Sequence, residues 1–378
     1  MKSEKIRILQ IINSAQHGGG TRHLYDLVSG LPKKDYEFHI AISPDGPYIK
    51  TFNDTGFNVH EIDMMSGRFQ SRAVKSIARL IEELKPMLIH AHGTRAAFFV
   101  ARGRKKNADF PFIYTAHGLS YNKNSGLWVR VFNRQIERYI CSKADKIISV
   151  SPTDGKEMIE NEIVSRKKLK IIRNGIDLNR FLKLKGRNKN SRVIGCVARL
   201  TEQKGIKYLL ETLSILKYVY NIETRAIIVG DGPLSVKLKK LAEKYGVNDR
   251  IEWIGAVDDP IDYYKKFDIF VLPSLWEGLP LVLIEAMASG IPVISTDTSG
   301  GLDIIKDRKN GLLIPRGSGE ALAYAIQELC EKPALAKKIA VSGRKEAEKK
   351  YCLNRFLNLT DIFYHETIRE TNRKKVQD

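Results

Sequence analysis

Short apolar runs, many of them β-branched, alternate along this chain with stretches of helical period. In the first half the runs are IRILQII (6–12), EFHIAIS (37–43), MLIHAHG (87–93), PFIYTAHG (111–118), KIISVS (146–151) and LKIIRNG (169–175). In the second half they are VIGCVARL (193–200), RAIIVGDG (225–232), RIEWIGAV (250–257), DIFVLPS (268–274) and PVISTD (292–297). Many are apolar straight through their centres, the mark of strands buried on both faces of a parallel sheet. The helical segments between them make βαβ units, and their number predicts two doubly wound α/β domains. The polar, aperiodic FLKLKGRNKNSR (181–192) reads as a linker. The expected division is 1–183, 184–352 and a C-terminal helix over 353–378 that packs back toward the first domain. Helix is expected to about Arg369, with TNRKKVQD (371–378) as a frayed tail.

Charge narrows the class. The 378 residues carry 63 Lys and Arg against 43 Asp and Glu, a net charge of +20. Residues 1–185 account for +14 of it and residues 186–378 for +6. A basic N-terminal half suits an anionic partner: nucleic acid, an anionic membrane surface or a phosphorylated substrate. No basic–aromatic RNA module or zinc pattern is visible, so nucleic acid is not the expected partner. Cys141, Cys196, Cys330 and Cys352 form no CxxC pair and read as reduced thiols. MKSEKIRILQIINSAQHGGG does not read as a signal peptide, and no apolar run is long enough to span a bilayer. A cytoplasmic protein is expected, with a possible peripheral place on the membrane.

In open parallel sheets ligands bind beyond the carboxyl ends of strands, near a topological switch point. After the first strand come Gly18, Gly19 and Gly20, which let backbone approach a ligand, and Thr21, which can open a helix whose free amides favour an anion. No Walker lysine follows, and no acidic residue closes the second strand. After VIGCVARL stand Arg199 and Lys204, two cations around a strand-to-helix turn that suit a diphosphate. The stretch WEGLPLVLIEA (276–286) puts Glu277 in a loop and Glu285 one turn into a short helix closed by Gly290. Gly278 permits close backbone approach, and amides near Leu279 and Leu281 can cap a phosphate, whereas Pro280 has none to offer. An ionised Glu285 accepts hydrogen bonds only, so ribose hydroxyls are natural partners. A carboxylate buried unpaired among Leu283, Ile284, Ala286 and Met287 would be costly.

PSLWEGLPLVLIEAMASGIPVI (273–294) resembles the E-x7-E signature of GT-B glycosyltransferases, specifically glycosyltransferase family four. VARLTEQKG, VGDGPL (229–234), the Gly18–Gly20 run and TAHG (115–118) match as well, in the family's order, so the resemblance covers nearly the whole chain. It implies two Rossmann-like domains facing a central cleft, and hexose transfer from a nucleotide-diphosphate sugar to a lipid-linked or saccharide acceptor, with retention and without a metal or other cofactor. Arg199 and Lys204 would hold the diphosphate, Glu285 the ribose and Glu277 hydroxyls of the donor sugar. Backbone around Gly278 to Leu281 would meet sugar and phosphate, Gly19 and Gly20 would meet the diphosphate, and groups around Ala256 and Val257 would line the base. His117 would lie near the reacting sugar, as base or as sugar contact; Glu277 as a nucleophile is the sharper alternative. Trp276 stands where many relatives carry a smaller or polar residue, which bears on the sugar pocket. VDDP (257–260) reads as a loop rather than a metal-binding acidic motif. His17, His90 and His92 read as structural, since His90-x-His92 shows no further metal ligand. A nucleotide-sugar epimerase of the same fold and a basic nucleic-acid-binding protein are the alternatives. LWVRVFNRQIERYICSK (127–143), with Arg130, Arg134 and Arg138 at four-residue steps, and RGRKK (102–106) suggest a face for an anionic membrane, or a helix that simply covers the sheet.

Overall fold

The computed structural model describes residues 5–66, 71–105, 108–119, 121, 126–184 and 192–377. Every sequence run listed above contains a strand. In the first half these are β1 (Ile6–Ile12), β2 (Tyr36–Ile42), β4 (Leu88–His92), β5 (Phe112–Ala116), β6 (Lys146–Ser149) and β7 (Leu169–Ile171), with β3 (Asn58–Glu61) added at the edge. They form one sheet in the order β3-β2-β1-β4-β5-β6-β7, with parallel pairing throughout. In the second half β8 (Val193–Val197), β9 (Arg225–Val229), β10 (Ile251–Gly255), β11 (Ile269–Leu272), β12 (Val293–Thr296) and β13 (Leu312–Ile314) form a parallel sheet in the order β10-β9-β8-β11-β12-β13. Both orders run outward from the first strand and then reverse, the doubly wound pattern. Switch points fall between β1 and β4 and between β8 and β11.

The central strands are buried on both faces, which is why they read as unbroken apolar runs. In the first sheet Ile89, Phe112, Tyr114 and Ile147 pack against Phe99 and Ile140 of the covering helices Thr94–Gly103 and Leu127–Lys143. In the second, Ile194, Cys196 and Val271 pack against Leu209, Leu213 and Ile326 of helices Ile206–Tyr218 and Gly319–Glu331.

The chain divides into one unit of residues 1–174 with 354–378 and a second of residues 175–353. The first crossing comes earlier than the boundary expected at 183/184, and residues 185–191 of the expected linker lie outside the described residues. Helix Leu178–Leu182 belongs to the second unit, where Phe181 meets Tyr264 edge-on at 5.7 Å. Gly175 marks the crossing sterically, because a Cβ there would lie 2.6 Å from the Cys352 carbonyl oxygen. The last helix runs from Leu353 to Gln377, beyond the expected end at Arg369, so TNRKKVQD is helical to its penultimate residue. Within the first unit the Tyr364 of that helix is fully buried and bonds to His90 and Gln10. No helix among the described residues is long and apolar enough to cross a membrane.

Candidate active site

In the second unit the loops after β8 and β11 lie beyond neighbouring strands at the switch point. After β8 the chain makes a 3-10 turn, Glu202–Lys204, and enters the next helix through Gly205 at φ +62°. Only glycine fits there: a Cβ would sit 2.1 Å from the Pro273 carbonyl oxygen. Gln203 fastens the turn to the loop after β11, donating from Nε2 to Trp276 O at 2.9 Å and accepting from Leu275 N at 2.7 Å. The clamp brings Lys204 Nζ to 2.5 Å from Glu277 Oε1, which also accepts from Ser274 Oγ at 2.7 Å. The pair is largely withdrawn from water, with 7% of the Glu277 side chain and 18% of the Lys204 side chain exposed. Arg199 is exposed and has no ion-pair partner among the described residues.

Helix Leu281–Ala288 begins after Pro280, and Leu283 N already bonds to Pro280 O. The amides of Leu281 and Val282 are therefore left to the helix start. Glu285 is half-buried on this helix, and the Tyr264 hydroxyl donates to its Oε2 at 2.6 Å. Burial first, then the Glu285 carboxylate, pushes the Tyr264 hydroxyl well above its usual range, so it stays a donor. Gly300 packs against the Gly278 carbonyl, where a Cβ would come within 2.6 Å, and its amide bonds to Glu277 O at 3.1 Å.

In the first unit the loop after β1 is braced by Asp45, which accepts from Ser14 Oγ at 2.7 Å and from Ala15 N at 2.5 Å. The helix that follows starts at Gly19 rather than at the expected Thr21, with Gly18 as its cap. Glycine carries no side chain to compete there, and Arg22 N takes the Gly18 carbonyl at 3.0 Å, leaving the amides of Gly19, Gly20 and Thr21 at the helix start. A Cβ on Gly20 would be 3.7 Å from His117 Cδ2.

His117 follows β5, His92 ends β4, and His23 lies on helix Gly19–Gly30. His117 Nε2 and His92 Nδ1 are 3.4 Å apart, and the His23 and His117 rings meet edge-on at 4.7 Å. His92 Nε2 lies 2.8 Å from Gln10 Oε1, and Gln10 Nε2 donates to Tyr364 OH at 3.1 Å. Tyr364 OH is 2.6 Å from His90 Nδ1, and His90 Nε2 is 2.6 Å from Thr115 Oγ1. Because the Gln10 amide nitrogen is the donor to Tyr364, its oxygen must accept, so His92 carries its proton on Nε2. Burial holds His117 down at about 4 and His90 at about 3, and pushes His23 and His92 well below the usual imidazole range. All four rings are neutral near pH 7.

Residues 17–180 match the model of Glycosyltransferase Family 4, and residues 179–346 match that of Glycosyl transferases group 1. The crystal structure of Anabaena HepE in complex with UDP aligns over 95% of this chain and 100% of its own, at 19% identity and TM-score 0.78. A sucrose-phosphate synthase from Thermosynechococcus elongatus aligns over 96% of this chain and 99% of its own, at 20% identity and TM-score 0.80. The chain belongs to the GT-B glycosyltransferases. Its sequence relatives include an Escherichia coli UDP-Gal:alpha-D-GlcNAc-diphosphoundecaprenol alpha-1,3-galactosyltransferase, 25% identical over 81% of this chain and 83% of the relative. They also include the capsular polysaccharide biosynthesis glycosyltransferase CapM of Staphylococcus aureus, 26% identical over 91% of this chain and 93% of the relative.

Two features of this glycosyltransferase differ from the sequence reading. Lys204, expected to hold the diphosphate, and Glu277, expected to contact hydroxyls of the donor sugar, are paired with each other, because the Gly205 turn and the Pro273 carbonyl bring their loops into contact. His92, read as lacking further metal ligands, is joined by His117 and His23 from other segments. Asp259 of VDDP is held in a loop by an ion pair with Arg180. Ala256 and Val257 follow β10 just past Gly255, whose φ is +81°. His17 stacks edge-on with Tyr48 at 5.6 Å, and His90 is fully buried, both structural places. Tyr264, Gln203, Ser274 and His23 were missed. Tyr264 lies in a helix of only four residues, Ile261–Tyr264, between strands, and nothing in its sequence points to Glu285. His23 carries a signal in the sequence, standing three positions after the glycine run on the same helix.

Proposed function

We propose that this glycosyltransferase moves a hexose from a nucleoside-diphosphate sugar to a hydroxyl of a lipid-linked or polysaccharide acceptor, with retention of configuration and without a metal. The observation that carries the donor half is the Lys204–Glu277–Ser274 cluster beside exposed Arg199 and the start of helix Leu281–Ala288. A diphosphate leaving group is stabilised when fixed cations and amides face its developing charge. Arg199 and Lys204 supply the charge and the amides around Gly278, Leu279 and Leu281 supply dipoles, while Gly19 and Gly20 of the first unit are assigned to the diphosphate on the family resemblance. Glu285, oriented by Tyr264, accepts from the ribose hydroxyls; Glu277 accepts from the sugar; backbone around Ala256 and Val257 meets the base. His117, a neutral imidazole, is assigned to the reacting sugar on the family resemblance. UDP is the nucleotide to test first, since it is the ligand of the HepE crystal structure and the leaving group named for the Escherichia coli relative.

The Escherichia coli relative's diphosphoundecaprenol acceptor supports a lipid-linked one here. So does helix Leu127–Lys143, which begins with exposed Leu127, Trp128, Val129 and Val131 around exposed Arg130. Trp128 is 84% and Leu127 70% exposed, a pattern that suits insertion at an anionic interface. Lys106 of the RGRKK cluster lies outside the described residues.

Calorimetric titration of UDP and UDP-hexoses tests the donor reading: Glu285→Ala is expected to weaken binding at least about tenfold, the loss of one charged hydrogen bond. Equal binding by the variant removes the ribose role. Transfer in excess EDTA, with the anomeric configuration of the product read by NMR, checks metal independence and retention. Flotation with anionic against neutral vesicles checks the surface: Trp128→Ser is expected to release the protein from anionic vesicles, and unchanged flotation discards the helix as the contact.

A further inference from the structure

Three imidazoles in the first unit offer nitrogens that all lie within 4.8 Å of one another: His23, His92 and His117. The hydrogen bonds around them decide which nitrogens are available. His23 Nδ1 is 2.7 Å from Asn174 Oδ1, so this nitrogen bears the proton and Nε2 holds the lone pair. His92 Nε2 is committed to Gln10 Oε1, so Nδ1 holds the lone pair. His117 Nε2 faces that lone pair at 3.4 Å.

We propose that His23 Nε2, His92 Nδ1 and His117 Nε2 form a binding site for a divalent transition metal of the zinc class. Neighbouring nitrogens on a tetrahedral zinc are about 3.3 Å apart, given Zn–N bonds of about 2.0–2.1 Å. The His92–His117 separation matches this, and the ligand nitrogens of the three rings lie within 4.8 Å of one another, so binding draws the His23 ring inward to complete the triangle. Three neutral imidazoles suit zinc, cobalt or copper and not magnesium or calcium, which take oxygen. A fourth position stays open for water or an anion.

The surroundings are those of a built metal site. In such sites each ligating histidine donates its other N–H to a carbonyl or carboxylate, which fixes the tautomer and strengthens the ligand. Here Asn174 does this for His23, and Gln10, itself held by Tyr364, does it for His92. Gln10, Asn174 and Tyr364 are buried. Binding through His117 Nε2 places the His117 proton on Nδ1. A bound ion would occupy the His117 lone pair, so zinc is expected to inhibit transfer. That consequence alone rests on the role given to His117 under Proposed function.

The test uses full-length, tag-free protein treated with chelator and titrated with Co2+ under visible absorption, then with Zn2+ in competition. One metal per chain is expected, with a tetrahedral cobalt spectrum that zinc abolishes. His117→Gln and His23→Gln are expected to lose binding, and Asn174→Ala to weaken it about 10- to 100-fold. Near-UV circular dichroism reports whether each variant folds; Asn174→Ala and the half-buried His117→Gln keep the test decisive should His23→Gln fail to fold. No stoichiometric uptake by folded wild type, or uptake unchanged in His117→Gln and Asn174→Ala, overturns the site. Uptake without inhibition supports the site and counts against the part given to His117 in transfer.

Discussion

Replacing Lys204 by methionine keeps the aliphatic stem and removes the ammonium that faces Glu277 at 2.5 Å. The Glu277 carboxylate, with 7% of its side chain exposed, would be left with the Ser274 hydroxyl. Breaking one side of a desolvated ion pair costs about 3–5 kcal/mol, and the partial exposure of Lys204 argues for the lower end, about 3 kcal/mol. For a unit of this size each kcal/mol moves the midpoint by roughly 2–4 °C, so thermal unfolding is expected about 6–12 °C lower. Adding Glu277→Gln to Lys204→Met neutralises the stranded charge while still accepting from Ser274. The double variant is therefore expected to recover about 2 kcal/mol relative to Lys204→Met alone, and the Glu277→Gln single variant completes the cycle that gives the coupling between the two side chains. Turnover is expected to stay low in all three variants, because the cation near the diphosphate is gone or its partner altered. Chemical denaturation of the four proteins measures the cycle. A loss below about 0.5 kcal/mol for Lys204→Met, or no recovery in the double variant, would show a solvent-screened contact and refute the reasoning.

Tyr264→Phe removes a charged hydrogen bond to Glu285 and is expected to weaken UDP-sugar binding about tenfold, with little change in fold; calorimetry checks it, and unaltered affinity would detach Tyr264 from the nucleotide site. In chelator-treated protein, stability is expected to be level above about pH 7 and to fall as the pH drops below about 6.5. The sign follows from the folded histidines: with His117 at about 4 and His90 at about 3, the unfolded chain binds more protons in that window, so acid favours unfolding. A denaturation midpoint that does not change between pH 7 and pH 5 would contradict the buried, neutral cluster.

Strands buried on both faces announce themselves, and each of the eleven runs read from the sequence coincides with a strand. The two that escaped, Asn58–Glu61 and Leu312–Ile314, are short edge strands with a neighbour on one side only. The first exposes residues at both ends, so it lacks the apolar run that betrays its neighbours. Positions just past strand ends were legible, as Arg199, Glu277 and His117 show by following β8, β11 and β5, the place where parallel sheets put ligands. Pairings set by tertiary contact were not: nothing local says that Gly205 abuts Pro273 O and thereby joins Lys204 to Glu277. The unit boundary was misplaced for a similar reason. Polarity marks residues 181–192, but the chain already enters the second unit at Gly175, which packs on Cys352 of that unit.

The helix Leu353–Gln377 gives the first unit its Tyr364, the hydroxyl that joins Gln10 to His90. During synthesis the residues from 354 onward leave the ribosome after the second unit has emerged, so the segment up to residue 174 must wait for them before the interior of the first unit closes. The second unit, contiguous in sequence, can finish ahead of it, reversing the usual order in which domains mature. Nascent chains halted before residue 354 would thus hold a mature second unit beside an incomplete first one.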